Sequence, residues 1–140
     1  MRGFLLDTCV ISESTRTRAS AKVIGWLSAR GIDNLFISVV TIGELEQGIA
    51  HLGDGIRARR VENWLAESVL PQFESRLLDI DIRVARRWGR LLGSAKRIGK
   101  PVAAIDAIIA ATALEHDLTL VTRNVADFRA CDLKIVNPWQ

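Results

Sequence analysis

The chain has 140 residues, 49% hydrophobic and 25% charged, which is ordinary for a globular protein and excludes a disordered, collagen-like or disulfide-stapled polypeptide. Net charge is +3, with 15 Arg against 4 Lys, which suits either a nucleic-acid partner or solvated helix faces. Cys9 and Cys131 are too few for a staple framework or a zinc site, and no apolar run approaches the roughly 18 residues of a membrane span.

Phe4-Leu5-Leu6 reads as a short buried strand ending at Asp7, too short and too soon interrupted for a signal peptide, and the two cysteines fit a reducing cytoplasm as the expected location. A helix is predicted over 20–30, then a strand over 35–40. Thr41 opens a helix to about His51, broken by Gly53-Asp54-Gly55. The next helix covers 56–70 and stops at Pro71. Residues 77–80 form a third strand, and Asp81 caps a helix to Arg97. In that helix Val84, Trp88, Leu91, Leu92 and Ala95 recur at the spacing of one apolar stripe. An Ala/Ile-rich helix covers 103–115, and strands follow over 118–122 and 133–136. There is no internal repeat or interdomain linker, so residues 1–140 are expected to form a single domain.

Short strands that are apolar on both faces and separated by helices predict an α/β fold, a three-layer α/β/α sandwich around a parallel sheet. In such sheets functional groups gather beyond the carboxyl ends of the strands. Phosphate-binding glycine loops are missing, and the spacing of Cys9 and Arg16 does not fit a cysteine phosphatase. His51 and His116 pair with no nucleophile and read as helix-end residues.

What remains is acids. Asp7 ends the first strand, Glu44 lies early in the helix after the second, Asp106 early in the Ala/Ile helix, and Asp127 after the fourth strand. Each also has a local explanation. Asp7 could cap a helix, and Thr41-Ile42-Gly43-Glu44 is a good capping box. Asp106 could favour the positive end of a helix dipole, and Asp127 could start an Asx-turn. Taken jointly, strand ends and the helix starts beyond them share one edge of a parallel sheet, so the four could converge. Clustered carboxylates repel unless a cation intervenes, and an all-oxygen donor set selects a hard ion, Mg²⁺ or Mn²⁺. Such an ion suits phosphodiester hydrolysis by an activated water.

Four segments carry a resemblance: Leu5-Leu6-Asp7-Thr8; residues 38–45 with Gly48; Asp106-Ala107-Ile108-Ile109 and the four residues after them; and Val121-Thr122-Arg123-Asn124 with Asp127-Phe128. In order and spacing they resemble the PIN-domain ribonucleases, above all the VapC toxins of bacterial toxin–antitoxin pairs. Val10-Ile11-Ser12-Glu13 and Asn137-Pro138-Trp139 resemble the FitB branch. The resemblance implies a Mg²⁺-dependent (or Mn²⁺-dependent) endoribonuclease in which Asp7, Glu44 and Asp106 bind metal and activate water, with Asp127 as a further metal position. It implies that Thr8 and Thr122 hydrogen-bond the carboxylates or a phosphate, and that Arg123 contacts RNA or pairs with a site acid.

Two positions depart from the family pattern. Asn124 stands where a fourth acid is usual, and Cys9 where asparagine is usual; packing is the role expected of Cys9. The implied partners are the RNA substrate, a cognate antitoxin, operator DNA through that antitoxin, and a second copy of the chain in a homodimer; no membrane is involved. Arg83, Arg86, Arg90 and Arg97, with Lys96 and Lys100, could guide RNA or form a solvated face. The four Trp are expected mostly in the core, with no Tyr, so base stacking is weak. The competing reading, motivated by Asn124 and Cys9, is a catalytically weak PIN domain that acts as a binding partner in an antitoxin–DNA complex. A DNA nuclease using the same acids is a third.

Overall fold

The computed structural model describes residues 3–140. Five parallel strands form the central sheet: β1 (Phe4–Leu6), β2 (Leu35–Ser38), β3 (Leu77–Leu78), β4 (Thr119–Val121) and β5 (Ile135–Val136). Their order is β3-β2-β1-β4-β5. Phe4 pairs with Leu35 on one side and Thr119 on the other, which places β1 at the centre. From β1 the chain builds outward first through β2 and β3 and later through β4 and β5. The crevice where that direction reverses is the place such sheets bind ligands.

The period of two along each strand divides the core. Leu6, Leu35, Ile37 and Val121 face a cluster with Val10, Val23, Leu45, Leu65 and Phe73. Leu5 and Leu120 face the opposite cluster, with Ile109, Ala110, Ala113 and Phe128. Helices cover both faces, giving the expected three layers. On the first face lie α1 (Thr8–Ile11), α2 (Ala21–Arg30), α3 (Val39–Leu52), α4 (Ile56–Trp64) and α5 (Leu70–Gln72). On the other lie α6 (Ile82–Arg97) and α7 (Ala104–Glu115), joined side by side where Arg87 Nε donates to Glu115 Oε2 at 2.8 Å. Residues 107–113 of α7 are buried without a break, so this helix is apolar all round and needs protein on every side.

The structure corrects several boundaries. The second strand ends at Ser38, not Val40, because the Ser38 hydroxyl accepts the Val40 N–H at 3.1 Å and caps α3. Thr41 is therefore inside the helix and fully buried, and the capping-box explanation of Glu44 fails. The third strand stops at Leu78. Pro71 does not stop its helix: a π-helical turn over Leu65–Val69, with the Leu70 N–H reaching back to the Leu65 carbonyl, leads into α5, and Pro71 sits in the first turn of α5. A widened turn displaces the carbonyls that a proline ring would otherwise strike. The α1 turn and the 3-10 turn after it (Ser12–Thr15) were not predicted. Asp81 does cap α6, its Oδ1 accepting the Val84 N–H at 2.9 Å. All four Trp are half-buried, Trp26, Trp64 and Trp139 packing on the first cluster.

Candidate functional site

The site forms where β1 and β4 end. Asp7 is the first residue beyond β1, and its backbone N–H donates to the Val121 carbonyl at 3.0 Å, which locks it to the neighbouring strand. The side chain is buried, 8% exposed. Its Oδ1 accepts the Thr8 N–H at 2.9 Å, so Asp7 also caps α1. Its Oδ2 accepts the Thr122 hydroxyl at 2.8 Å, and the Cys9 thiol stands 3.9 Å from the same oxygen. Capping and site-building therefore coexist in one carboxylate.

Glu44 lies on the second turn of α3, half-buried, and its Oε1 accepts the Thr8 hydroxyl. That hydroxyl also lies 3.5 Å from the Thr41 hydroxyl. Thr8 thus ties β1 to α3 through an acid at each end, its N–H on Asp7 and its hydroxyl on Glu44. Thr122 has no exposure at all: its oxygen donates to Asp7, accepts the Asn124 N–H at 3.1 Å, and lies 3.7 Å from Cys9 Sγ. Of the two roles expected for Thr8 and Thr122, hydrogen bonding to the carboxylates is the one this geometry provides.

Asp106 is in the first turn of α7 and half-buried. Burial, then the charges of Asp7, Asp127 and Glu44 in that order, push its pKa up from 3.8 to about 6. Burial also raises the Asp7 pKa, opposed by the Thr122 and Thr8 hydrogen bonds and assisted by the Asp127 charge. The four acids come from separate stretches of sequence and feel one another. Asp127 is exposed in the 3-10 turn Val125–Phe128, its N–H donating to the Asn124 carbonyl at 3.0 Å. Among the described residues no three Asp, Glu, His or Cys side chains are close enough to form a ready cage for an ion. Four like charges hold one another off, and a hard cation is what would draw them in.

Asn124 and Arg123 are exposed beside the acids. The Arg123 guanidinium lies over the Trp139 ring, 5.0 Å from its centroid, and makes no ion pair with a site acid among the described residues. Cys9 has two parts: it packs on the first core cluster and its sulfur joins the Asp7–Thr122 network. Burial raises its thiol pKa, so it stays protonated, a weak donor rather than a nucleophile. Two participants escaped the sequence reading. Thr41 was assigned to a cap, although its three-residue spacing from Glu44 puts both on one helix face. Arg129, near Asp127 at a cleft wall, carried no signal of its own. His51 and His116 lie at helix ends, as expected.

The raised pKa of Asp106 has a consequence for stability without metal. The folded state holds this proton more tightly than the unfolded chain, so the contribution of Asp106 to stability is fully present below pH 3.8 and is lost as pH rises through about 6. Two pKa units on a partly solvated group, after screening, leave about 1 kcal/mol. In EDTA, Asp106→Asn is therefore expected to gain about 1 kcal/mol over the parent near neutral pH, with the gain shrinking towards pH 4. Urea unfolding of both proteins across that range measures it; a pH-independent difference contradicts the raised Asp106 pKa.

The PIN domain family profile matches residues 4–132. Toxin FitB of Neisseria gonorrhoeae is 39% identical over 135 residues, covering 96% of this chain and 97% of that protein. VapC ribonuclease Y4jK of Sinorhizobium fredii is 37% identical over 136 residues, covering 97% of each. The solved structure of FitAB bound to an IR36 DNA fragment superposes with a TM-score of 0.91 at 36% identity, over 98% of this chain and 96% of that one.

Proposed function

This chain belongs to the PIN-domain family, and from that membership we propose that it is the toxin of a toxin–antitoxin pair, an endoribonuclease that cuts RNA phosphodiester bonds with a divalent metal. The observation that carries this reading is that Asp106 feels the charges of Asp7, Asp127 and Glu44 at the carboxyl edge of the sheet, which add to burial in raising its pKa to about 6. The donor set is oxygen only, which fits Mg²⁺ or Mn²⁺. Asp7, Glu44 and Asp106 would hold the ion, with Asp127 beside them. A bound ion of this kind lowers the pKa of a coordinated water and offsets charge on a phosphoryl group.

The chain's own residues do the positioning. The Thr122 hydroxyl and the Thr8 N–H fix both oxygens of Asp7, and the Thr8 hydroxyl fixes Glu44. Their rotamers are thus set before substrate arrives, which is what a precise site needs. Asn124 offers a carbonyl oxygen but no charge, so the cluster has Asp127 as its fourth acid. Arg123, held over Trp139, would meet a phosphate at the rim.

The partners follow the same reading. A cognate antitoxin would cover the acids, and operator DNA would be reached through it; FitAB, the relative, is solved bound to an IR36 DNA fragment. The profile match over 4–132 supports reading residues 1–140 as one PIN domain. No helix among the described residues is long and apolar enough to cross a membrane; cytoplasmic location and a homodimer complete the proposal.

Purified protein incubated with single-stranded RNA is expected to cut it in Mg²⁺ or Mn²⁺, with the rate falling about a thousandfold or more in EDTA. Single-stranded DNA in a parallel digestion is expected to stay intact. Protein that cuts no RNA in Mn²⁺ yet binds its antitoxin tightly would replace this reading with the binding-partner one.

A further inference from the structure

Next to the acids lies a cleft of about 500 Å³, lined by Lys100, Ala103, Asp106, Ala126, Asp127 and Arg129 among others. That volume is in the range of small-ligand sites. The acids form one part of its wall. Lys100 comes from the loop between α6 and α7, and Arg129 from the residue after the 3-10 turn that carries Asp127. Both cations are exposed, and neither is in an ion pair among the described residues. The alanines leave room inside the cleft. The first turn of α7 opens on it, and Ala103, its N-cap, supplies no side-chain acceptor, so Asp106 is the acid that meets the positive end of this 12-residue helix.

We propose that this cleft is a nucleotide subsite that takes the phosphate and ribose of the RNA nucleotide next to the scissile bond, with Lys100 and Arg129 gripping the phosphate. The inference rests on the ribonuclease reading above. Four carboxylates by themselves repel a polyanion, and a metal offsets charge only at the phosphate being cut. The neighbouring phosphate, one nucleotide along the backbone, needs its own cations. Lys100 and Arg129 are the cations that share a cleft with Asp106 and Asp127. The other exposed cations at the end of α6, Lys96 and Arg97, do not line this cleft. They provide a charge-matched comparison that separates a local subsite from a diffuse basic surface.

The test compares Lys100→Ala/Arg129→Ala with Lys96→Ala/Arg97→Ala. Binding of a fluorescent single-stranded RNA is measured by anisotropy in EDTA at several salt concentrations, and cleavage is measured in Mn²⁺. The cleft pair is expected to weaken binding at least about tenfold, the loss of one charge-assisted contact, and to raise KM more than it lowers kcat. Its salt slope should fall by about 0.7, one phosphate's share for a single strand. The control pair should change affinity by less than about threefold. As a second measurement on the parent protein, adenosine 5′-monophosphate should shift the amide signals of Ala103, Ala126 and Ala130. Equal losses from both pairs, no loss from the cleft pair, or nucleotide shifts confined to other residues would overturn the subsite. A parent protein that cuts no RNA in Mn²⁺ overturns the ribonuclease reading and this substrate with it, whereas one that cuts and fails only the comparison loses the subsite alone.

Discussion

Asp7→Asn is expected to lower RNA cleavage by about a thousandfold or more while leaving the fold intact, and Asp106→Asn to do the same. Either change removes a full charge from a cluster whose role is to hold a divalent ion. The fold survives for reasons the structure makes explicit. An asparagine at position 7 keeps a side-chain oxygen for the Thr8 N–H and is as good a helix cap as aspartate. The Thr122 hydroxyl, which now donates to Asp7, can rotate to accept from the new amide. The backbone link from residue 7 to Val121 is unaffected. Asp106 makes no side-chain hydrogen bond among the described residues, and burial, with the neighbouring acids, holds its pKa up, so its neutral variant loses no partner. Circular dichroism and urea unfolding check the fold, and single-turnover cleavage of labelled RNA checks the activity. Full activity in both variants would falsify the assignment of these acids.

Phe128→Ala is expected to cost about 3–5 kcal/mol of stability. Phe128 is fully buried, the largest side chain with no exposure among the described residues, and packs with Leu5, Ile109, Ala110, Leu120 and Cys131. Apart from Cys131, these neighbours belong to β1, β4 and α7, which cannot all collapse inward on the vacated space. The residue also closes the 3-10 turn that carries Asp127, so its loss loosens an acid of the site as well as the core. Urea unfolding should show a lower midpoint at unchanged slope, and the residual folded protein should cut RNA more slowly than the parent. A loss below about 1 kcal/mol would mean that the core repacks around the gap.

Both expectations concern residues that a reader of the sequence could locate but could not connect. The run Leu5-Leu6-Asp7 announces a buried strand ending on a charge. Nothing in it says that Thr122, 115 positions away, will satisfy that charge. Glu44 shows the opposite difficulty. Its spacing from Thr41 imitates a capping box, and the imitation is broken only because Ser38, at the end of β2, caps first. Pro71 reads as a stop, and a π-helical turn upstream cancels it. Competing caps differ by about 1 kcal/mol and a helix-interior proline costs about 3 kcal/mol, so the folded chain settles which local signal wins.

The sequence by itself determined the layered class and the edge on which function falls. Strands apolar on both faces require helices on both sides, and parallel strands place every strand end and the helix start beyond it on one edge. It also supplied the chemistry of that edge, since acids without cysteine or histidine partners leave only hard ions. The tertiary structure alone decided which hydroxyl holds which carboxylate, that Thr41 and Cys9 join the network, and that Lys100 and Arg129 share a cleft with Asp106 and Asp127. Hydrophobic burial is read from residue type and period, which a sequence contains. Hydrogen bonds and charge pairs depend on distances of a few ångströms between residues far apart in the chain, and only the folded chain fixes those.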